Sequence, residues 1–169
     1  MVIPRTTETV PALLSNGEAD IAAVATNVAS NFYHKTDGSI QMLAVNTMGV
    51  LYILEKGDSI QSMADLRGKT IYASGKGNTP EYALNYVLTQ NGIDPASDVT
   101  IEWKSEQAEC LSALMAEENT IAMLPQPFVT SAMSQVEGLR VALDMNEEWQ
   151  KVAGSKLVTG VLVVRKDAV

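Results

Sequence analysis

The sequence predicts an α/β fold built as two related lobes, and three observations carry that reading. Segments of helical periodicity alternate with short β-branched or apolar runs from residue 6 to residue 145, the pattern of an α/β chain with largely parallel pairing. A weak internal repeat lays ALLSNGEADIAAVATN, from Ala12, over ALMAEENTIAMLPQ, from Ala113. Each copy runs from the end of an amphipathic helix through a polar turn and an apolar strand to a polar group that opens the next helix. The composition, 46% hydrophobic and 19% charged over 169 residues, supplies a core sufficient for one domain or two small lobes.

The elements follow from local signals. TTETVPALLSNG reads as a helix capped by Thr6 or Thr7 and stopped by Gly17. Strand DIAAV, a helix opened by ATN and strand IQMLAVNT come next. VLYILEKGDSI is a strand and turn leading into SMADLRG, a short helix closed by Gly68. Strand KTIYAS, the turn GKGN and helix TPEYALNYVLTQNG follow, with Pro80 in the first turn and Gly92 just past the end. Then come strand VTIEW, helix SEQAECLSALMAEEN, strand TIAML, helix PQPFVTSAMSQ and strand LRVALD. A short acidic helix over 145–151 and strand LVTGVLVVRKD complete the order.

Charge and composition exclude several function classes. A net charge of −8 repels phosphate backbones and anionic lipid surfaces, which argues against nucleic-acid binding. Cys110 is the single cysteine and His34 the single histidine, so neither an internal disulfide nor a zinc site with the usual ligand spacing can form. No metal or cofactor is expected. No apolar run approaches the roughly 20 residues that span a bilayer, and no charged-then-apolar leader opens the sequence. A serine nucleophile would need a histidine base, yet His34 lies in the polar stretch FYHKTDG and there is no GxSxG elbow. No catalytic constellation is expected. Glu106, Glu109, Glu117 and Glu118 read as a solvated helix face, Asp144, Glu147 and Glu148 as another, and Cys110 as a buried, inert thiol beside Leu111 and Leu114.

The strongest local motif is YASGKGNTPEY, a strand, a turn containing Gly75 and Gly77, and a helix begun by Asn78 or Thr79. Its glycines permit close backbone approach, and the free N–H groups and dipole of the helix start suit a sulfonate, carboxylate or phosphate oxygen. Ser74 closes the strand, and Lys76 adds a point charge or projects into solvent. The turn matches neither GxxxxGK[ST] nor GxGxxG, so nucleotide binding is disfavoured. An ordinary capped turn is the alternative. Three further turns follow strands in the same way: Thr26 and Asn27, Ser105 to Glu109, and Gln126 with Pro127. Each alone reads as a helix cap. Tyr72, Tyr82 and Trp103 are candidates to stack on a ring.

LLSNGEADIAAVATNVAS, LAVNTMGVLYILEK, SMADLRGKTIYASGKGNTPEYALNYVL, IEWKSEQAEC and IAMLPQPFVTSAM together resemble the NMT1/THI5-like solute-binding proteins of ABC importers, relatives of binders for sulfonates, taurine, nitrate and thiamine pyrimidine precursors. The resemblance covers nearly the whole chain and implies the type II periplasmic-binding-protein fold. In that fold two α/β lobes are joined by two crossing strands, and the solute is held in the cleft between the lobes. It implies a partial first lobe over 1–48, a hinge strand over 49–56, a complete second lobe over 57–157 and a return strand over 158–169. It also implies further elements before and after, so the chain is expected to be a fragment. With the first lobe incomplete, homodimerisation or a domain swap is expected. Carried over by position, ligand contacts fall at Thr26, Asn27, Thr47, Gly49, Ser74, Gly75, Lys76, Gly77, Asn78, Thr79 and Gln126, with Glu106 and Glu109 as weaker candidates.

The resemblance further implies a small polar or anionic solute, an ABC permease as partner and an extracytoplasmic location, periplasmic or lipid-anchored. Two rivals share the superfamily or the fold. One is a pyrimidine-synthesis enzyme using pyridoxal phosphate and its own histidine, which would cast His34 as substrate; the cysteine-rich motif of those enzymes is absent. The other is the effector-sensing domain of a transcription regulator, although no helix-turn-helix segment is present.

Overall fold

The computed structural model describes residues 9–116 and 118–169, so the candidate caps Thr6 and Thr7, and Glu117, lie outside the described residues. The chain divides into two compact units, residues 1–48 with Val158–Val169, and Gly49–Leu157.

In the first unit, α1 (Val10–Ser15), β1 (Ile21–Ala25), α2 (Thr26–Lys35), β2 (Ile40–Met48) and β8 (Val158–Arg165) form a three-stranded sheet of order β1-β8-β2 with two helices. β8 is central because its residues are apolar on both faces; Val161 and Val163 join Val10, Leu14 and Ile40 in a small core with Phe32 and Val24 against it. β2 is an edge strand. Its apolar residues Met42, Leu43, Val45 and Met48 are exposed, and its register on β8 shifts after Met42, Val45 and Thr47.

The second unit holds β3 (Leu51–Lys56), β4 (Thr70–Ser74), α3 (Thr79–Gln90), β5 (Thr100–Lys104), α4 (Gln107–Ala116), β6 (Ile121–Pro125), α5 (Phe128–Gln135), β7 (Leu139–Asp144) and α6 (Met145–Ala153). Its five-stranded sheet has the order β5-β4-β6-β3-β7. One face buries Ile53, Ile71, Ala73 and Met123 against Ala83, Leu84, Val87 and Leu88 of α3 and Met145 of α6. The other buries Leu54, Ala122 and Leu124 against Cys110 and Leu114 of α4 and Val129 and Ala132 of α5. Strands covered on both faces read as continuous apolar runs, which is why TIAML and LYIL are so legible.

Pairing departs from the largely parallel expectation. Among the described residues only β4 with β5 and β4 with β6 run parallel; β1 and β2 with β8, and β3 with β6 and β7, are antiparallel. In the second unit β3 enters the sheet against β6 and β7, and in the first both neighbours of β8 oppose it. Periodicity along a strand carries no information on its direction.

Several boundaries shift for identifiable reasons. SMADLRG forms a 3-10 turn, Met63–Leu66, opened by a capping box in which the Ser62 hydroxyl and the Asp65 carboxylate exchange hydrogen bonds with each other's backbone N–H. α4 stops at Ala116, ahead of Asn119, which takes a left-handed conformation (φ 57°) and donates its backbone N–H to Lys56 O. α5 begins at Phe128 because Pro125 still pairs with Leu51 and Gln126 N–H donates to Val50 O. α6 continues to Ala153, where Gly154 ends it in the left-handed region (φ 68°).

Both repeat copies fold as helix, turn, strand and helix, namely α1-β1-α2 and α4-β6-α5. Their strands sit differently, since β1 is an edge strand and β6 is internal to its sheet.

Candidate functional site

The pairing of the second unit brings one end of its sheet into focus. β4, β5 and β6 are mutually parallel, so Ser74, Lys104 and Pro125 lie at the same edge. β3 starts there, with Leu51 opposite Pro125, and β7 ends there, with Asp144 opposite Tyr52. The helices α3, α4, α5 and α6 therefore all begin at this edge, and their N-terminal dipole ends converge on it.

Each helix start is closed by a side chain of its own turn. Glu81 Oε2 accepts from Gly77 N–H at 2.5 Å, Glu109 Oε2 accepts from Ser105 N–H at 2.9 Å, and Asp144 Oδ1 accepts from Asn146 N–H at 2.8 Å. At α5, Gln126 Oε1 accepts from the Thr130 hydroxyl at 3.0 Å and its N–H at 3.4 Å. Asn78 holds the N-cap position of α3 without a side-chain cap bond, so Glu81, three residues on, does that work. The expectation of solvated acidic faces is corrected at two residues, since Asp144 is a half-buried cap and Glu148 is largely buried and paired with Lys151 at 2.6 Å, while Glu109 is exposed and also serves as a cap. Glu106, Glu118 and Glu147 are exposed.

Between the caps lie Ser74, Lys104 and Gln107. Ser74 is only 4% exposed. Its register partner on β5 is Lys104, whose Nζ lies 5.0 Å from the Tyr72 ring centroid and 2.9 Å from Glu102 Oε2. The hydrogen bond that Lys104 donates to Glu102 raises the Lys104 pKa above its ordinary value against opposing desolvation. Gln107, the first residue of α4, has its side-chain oxygen buried with no hydrogen-bond partner. Gly75 and Gly77 take φ of 87° and 80°, and a Cβ on Gly75 would come within 2.9 Å of the Pro80 ring, so that position needs glycine twice over. Lys76, Asn78 and Gln126 are exposed and Thr79 is half-buried.

Other predicted residues have structural partners. Thr26 and Thr47 belong to the first unit, where the Thr26 hydroxyl donates to Val158 O at 3.1 Å and that of Thr47 donates to Asn46 Oδ1 at 3.2 Å. Asn27 follows Thr26 in the first turn of α2. Gly49 (φ 56°) donates its N–H to Leu157 O and packs on Asn146, whose Oδ1 accepts from Leu157 N–H. Cys110 is fully buried, and desolvation pushes its thiol up to about 11, an unreactive sulfur at neutral pH. His34 is exposed. Among the described residues, no group of His, Cys, Asp and Glu side chains could hold a metal ion, and no helix is long and apolar enough to cross a membrane.

Residues 1–168 match the family of ABC-transporter periplasmic substrate-binding proteins for phosphonate. The chain belongs to that family. Solved structures share the fold: an ABC transporter protein from Parabacteroides distasonis (21% identity, TM-score 0.77, covering 98% of this chain and 55% of that one) and the periplasmic aliphatic sulphonate binding protein SsuA from Escherichia coli (18%, 0.75, 96% and 53%). A putative sulfonate-binding SsuA from Methylobacillus flagellatus KT is similar too (18%, 0.72, 95% and 46%). The chain spans about half the length of these structures. No curated protein matches it. The family is one of periplasmic transporter binding proteins, which implies an extracytoplasmic location.

The sequence signals at this edge were unequal. Lys104 and Glu102 were missed, although their spacing of two on a strand places them on one face. In sequence Asp144 looks like a surface carboxylate, and only the fixed helix start shows it to be a cap.

Proposed function

We propose that this chain is the solute-capturing part of an ABC importer's binding protein, and that it takes a small phosphonate or sulfonate at the helix-start edge of the second unit's sheet. The observation that carries the reading is the alignment of four helix N-termini along the sheet edge that also carries Ser74, Lys76 and Lys104. Capture needs no covalent chemistry, only differential affinity for the bound state. The proposal includes a membrane permease as recipient.

The caps refine the solute class. Lys76 and Lys104 stand against Glu81, Glu102, Glu106, Glu109 and Asp144, which leaves an excess of negative charge along this edge. Three of its turn amides already hold a carboxylate. A bare inorganic anion is therefore disfavoured relative to an organic solute whose acidic head meets Ser74 and Lys104 while its body carries neutral or cationic groups. A thermal-shift series with methylphosphonate, methanesulfonate, nitrate and a pyrimidine tests this. A bound solute at a hundred times its dissociation constant adds roughly 2.7 kcal/mol. The phosphonate or sulfonate should shift the transition in the parent chain and lose that effect in Lys104→Met; an unchanged transition with both, or an effect indifferent to Lys104, sinks the proposal.

Self-association belongs to the same proposal. β2 offers an uncharged nine-residue edge with exposed Met42, Leu43, Val45 and Met48, a surface of the kind that pairs with a further strand. Sedimentation velocity should detect a dimer that Val45→Lys weakens; a monomer at every concentration would refute it.

A further inference from the structure

We infer, on the reading that the solute's acidic head meets Lys104, that Glu102 is a specificity-determining residue: it makes Lys104 favour a singly ionised oxyacid that keeps one O–H over one whose oxygens are all acceptors. Glu102 and Lys104 are two residues apart on β5, so both side chains leave the strand on one face, and the register partner of Glu102 on that face is Tyr72 of β4. Lys104 Nζ lies 2.9 Å from Glu102 Oε2 and 5.0 Å from the Tyr72 ring centroid. Tyr72 packs on the buried cluster that contains Leu54, Cys110 and Leu114, which gives the ammonium a packed aromatic floor. The pair is open to a solute, since the Lys104 and Glu102 side chains keep 31% and 44% of their exposure on this edge strand.

The distance fixes what an acid head encounters. An oxygen bonded to Lys104 Nζ at about 2.8 Å stays within about 6 Å of Glu102 Oε2 for as long as the ion pair holds. Methanesulfonate has three acceptor oxygens and no proton, so it meets Glu102 only as a like charge, which is unfavourable. Methylphosphonate that has lost one proton differs in one respect: an oxygen accepts from Lys104 while the remaining P–O–H donates to the Glu102 carboxylate, a charge-assisted bond in place of a repulsion. Loss of the second proton removes that donor and adds a charge to an edge already rich in carboxylates. Other groups bear less directly on the pair. Tyr72 and, from α4, Glu109 act on Lys104, and Lys104 acts on the buried Cys110 thiol. Glu109 is occupied by Ser105 N–H as a cap, whereas Glu102 is bonded to the ammonium itself.

The test is isothermal titration of the whole chain with methylphosphonate and with methanesulfonate, below and above the second ionisation of the phosphonate. Below it, methylphosphonate should bind at least about tenfold tighter than methanesulfonate, and raising the pH through it should weaken methylphosphonate alone and erase most of the difference. In Glu102→Gln, whose amide can donate to either acid, methanesulfonate should gain and the ratio should fall to within about threefold. Equal binding of the two acids by the parent chain, a preference that survives in Glu102→Gln, or a methylphosphonate affinity that rises as the second proton leaves overturns the role of Glu102 while the solute site stands. Saturable binding of neither acid overturns both. The pH series on the parent chain decides the matter even if the variant fails to fold.

Discussion

Arg140→Leu should destabilise the protein by about 3–5 kcal/mol, because it strands a buried carboxylate. Glu55 is fully buried in β3 and accepts from the N–H groups of Ser59 (2.8 Å) and Ile60 (3.0 Å), from the Ser59 hydroxyl and from Arg140 Nη2 (2.8 Å). The same guanidinium, on the neighbouring strand β7, donates to Gly57 O and Ile60 O, so one side chain ties the exit of β3 to β7. Burial pushes the Glu55 pKa up, but the bonds from Ser59 and Ile60 and the charge of Arg140 outweigh it, and the net position is below the ordinary 4.5. A carboxyl depressed on folding stabilises the folded state above its unfolded pKa and loses that contribution as pH falls through the folded value. Stability should therefore decline below about pH 4.5, and the decline should be shallower in Glu55→Gln. Denaturant midpoints across pH check both statements. The double variant Glu55→Leu/Arg140→Leu should recover much of the loss, since it leaves no unpaired charge. A single variant as stable as its parent would show the network to be dispensable.

Gly49→Ala should be the most damaging substitution among the predicted solute residues, and for a structural reason. Its φ of 56° costs a non-glycine residue about 1–2 kcal/mol. An added Cβ would also lie 2.6 Å from Asn146 Cβ, an overlap of the kind that costs about 1–3 kcal/mol. Asn146 cannot easily yield, because its Oδ1 accepts from Leu157 N–H at 3.1 Å and Gly49 N–H donates to Leu157 O at 2.9 Å. The melting temperature should fall while Lys76→Ala, at an exposed position, leaves it unchanged. An unaltered transition in Gly49→Ala would mean the turn relaxes without cost.

Much of the architecture was legible because each element carries its own punctuation. Pro80 and Gly92 bracket α3, and the apolar run TIAML marks a strand buried on both faces. Strand direction was not legible. The side chains of β3 read the same whether its neighbour runs with it or against it, and the antiparallel insertion of β3 beside β6 depends on contacts distant in sequence. At the candidate site the turn after β4 was visible from its glycines, since φ of 87° and 80° requires them. The carboxylates filling the turns were harder. Glu81 and Glu109 sit four residues after the amides they bind, a spacing shared by many exposed glutamates, and only the formed helix brings them back.

The most direct test of the central proposal is a map of where a solute perturbs the backbone. Amide resonances of the whole chain should be followed during titration with methylphosphonate and, separately, methanesulfonate. Saturable shifts should be concentrated at Ser74 to Thr79, Lys104 to Gln107 and Gln126, the residues at the helix-start edge. Saturable shifts confined to other surfaces, or none with either solute, would contradict it.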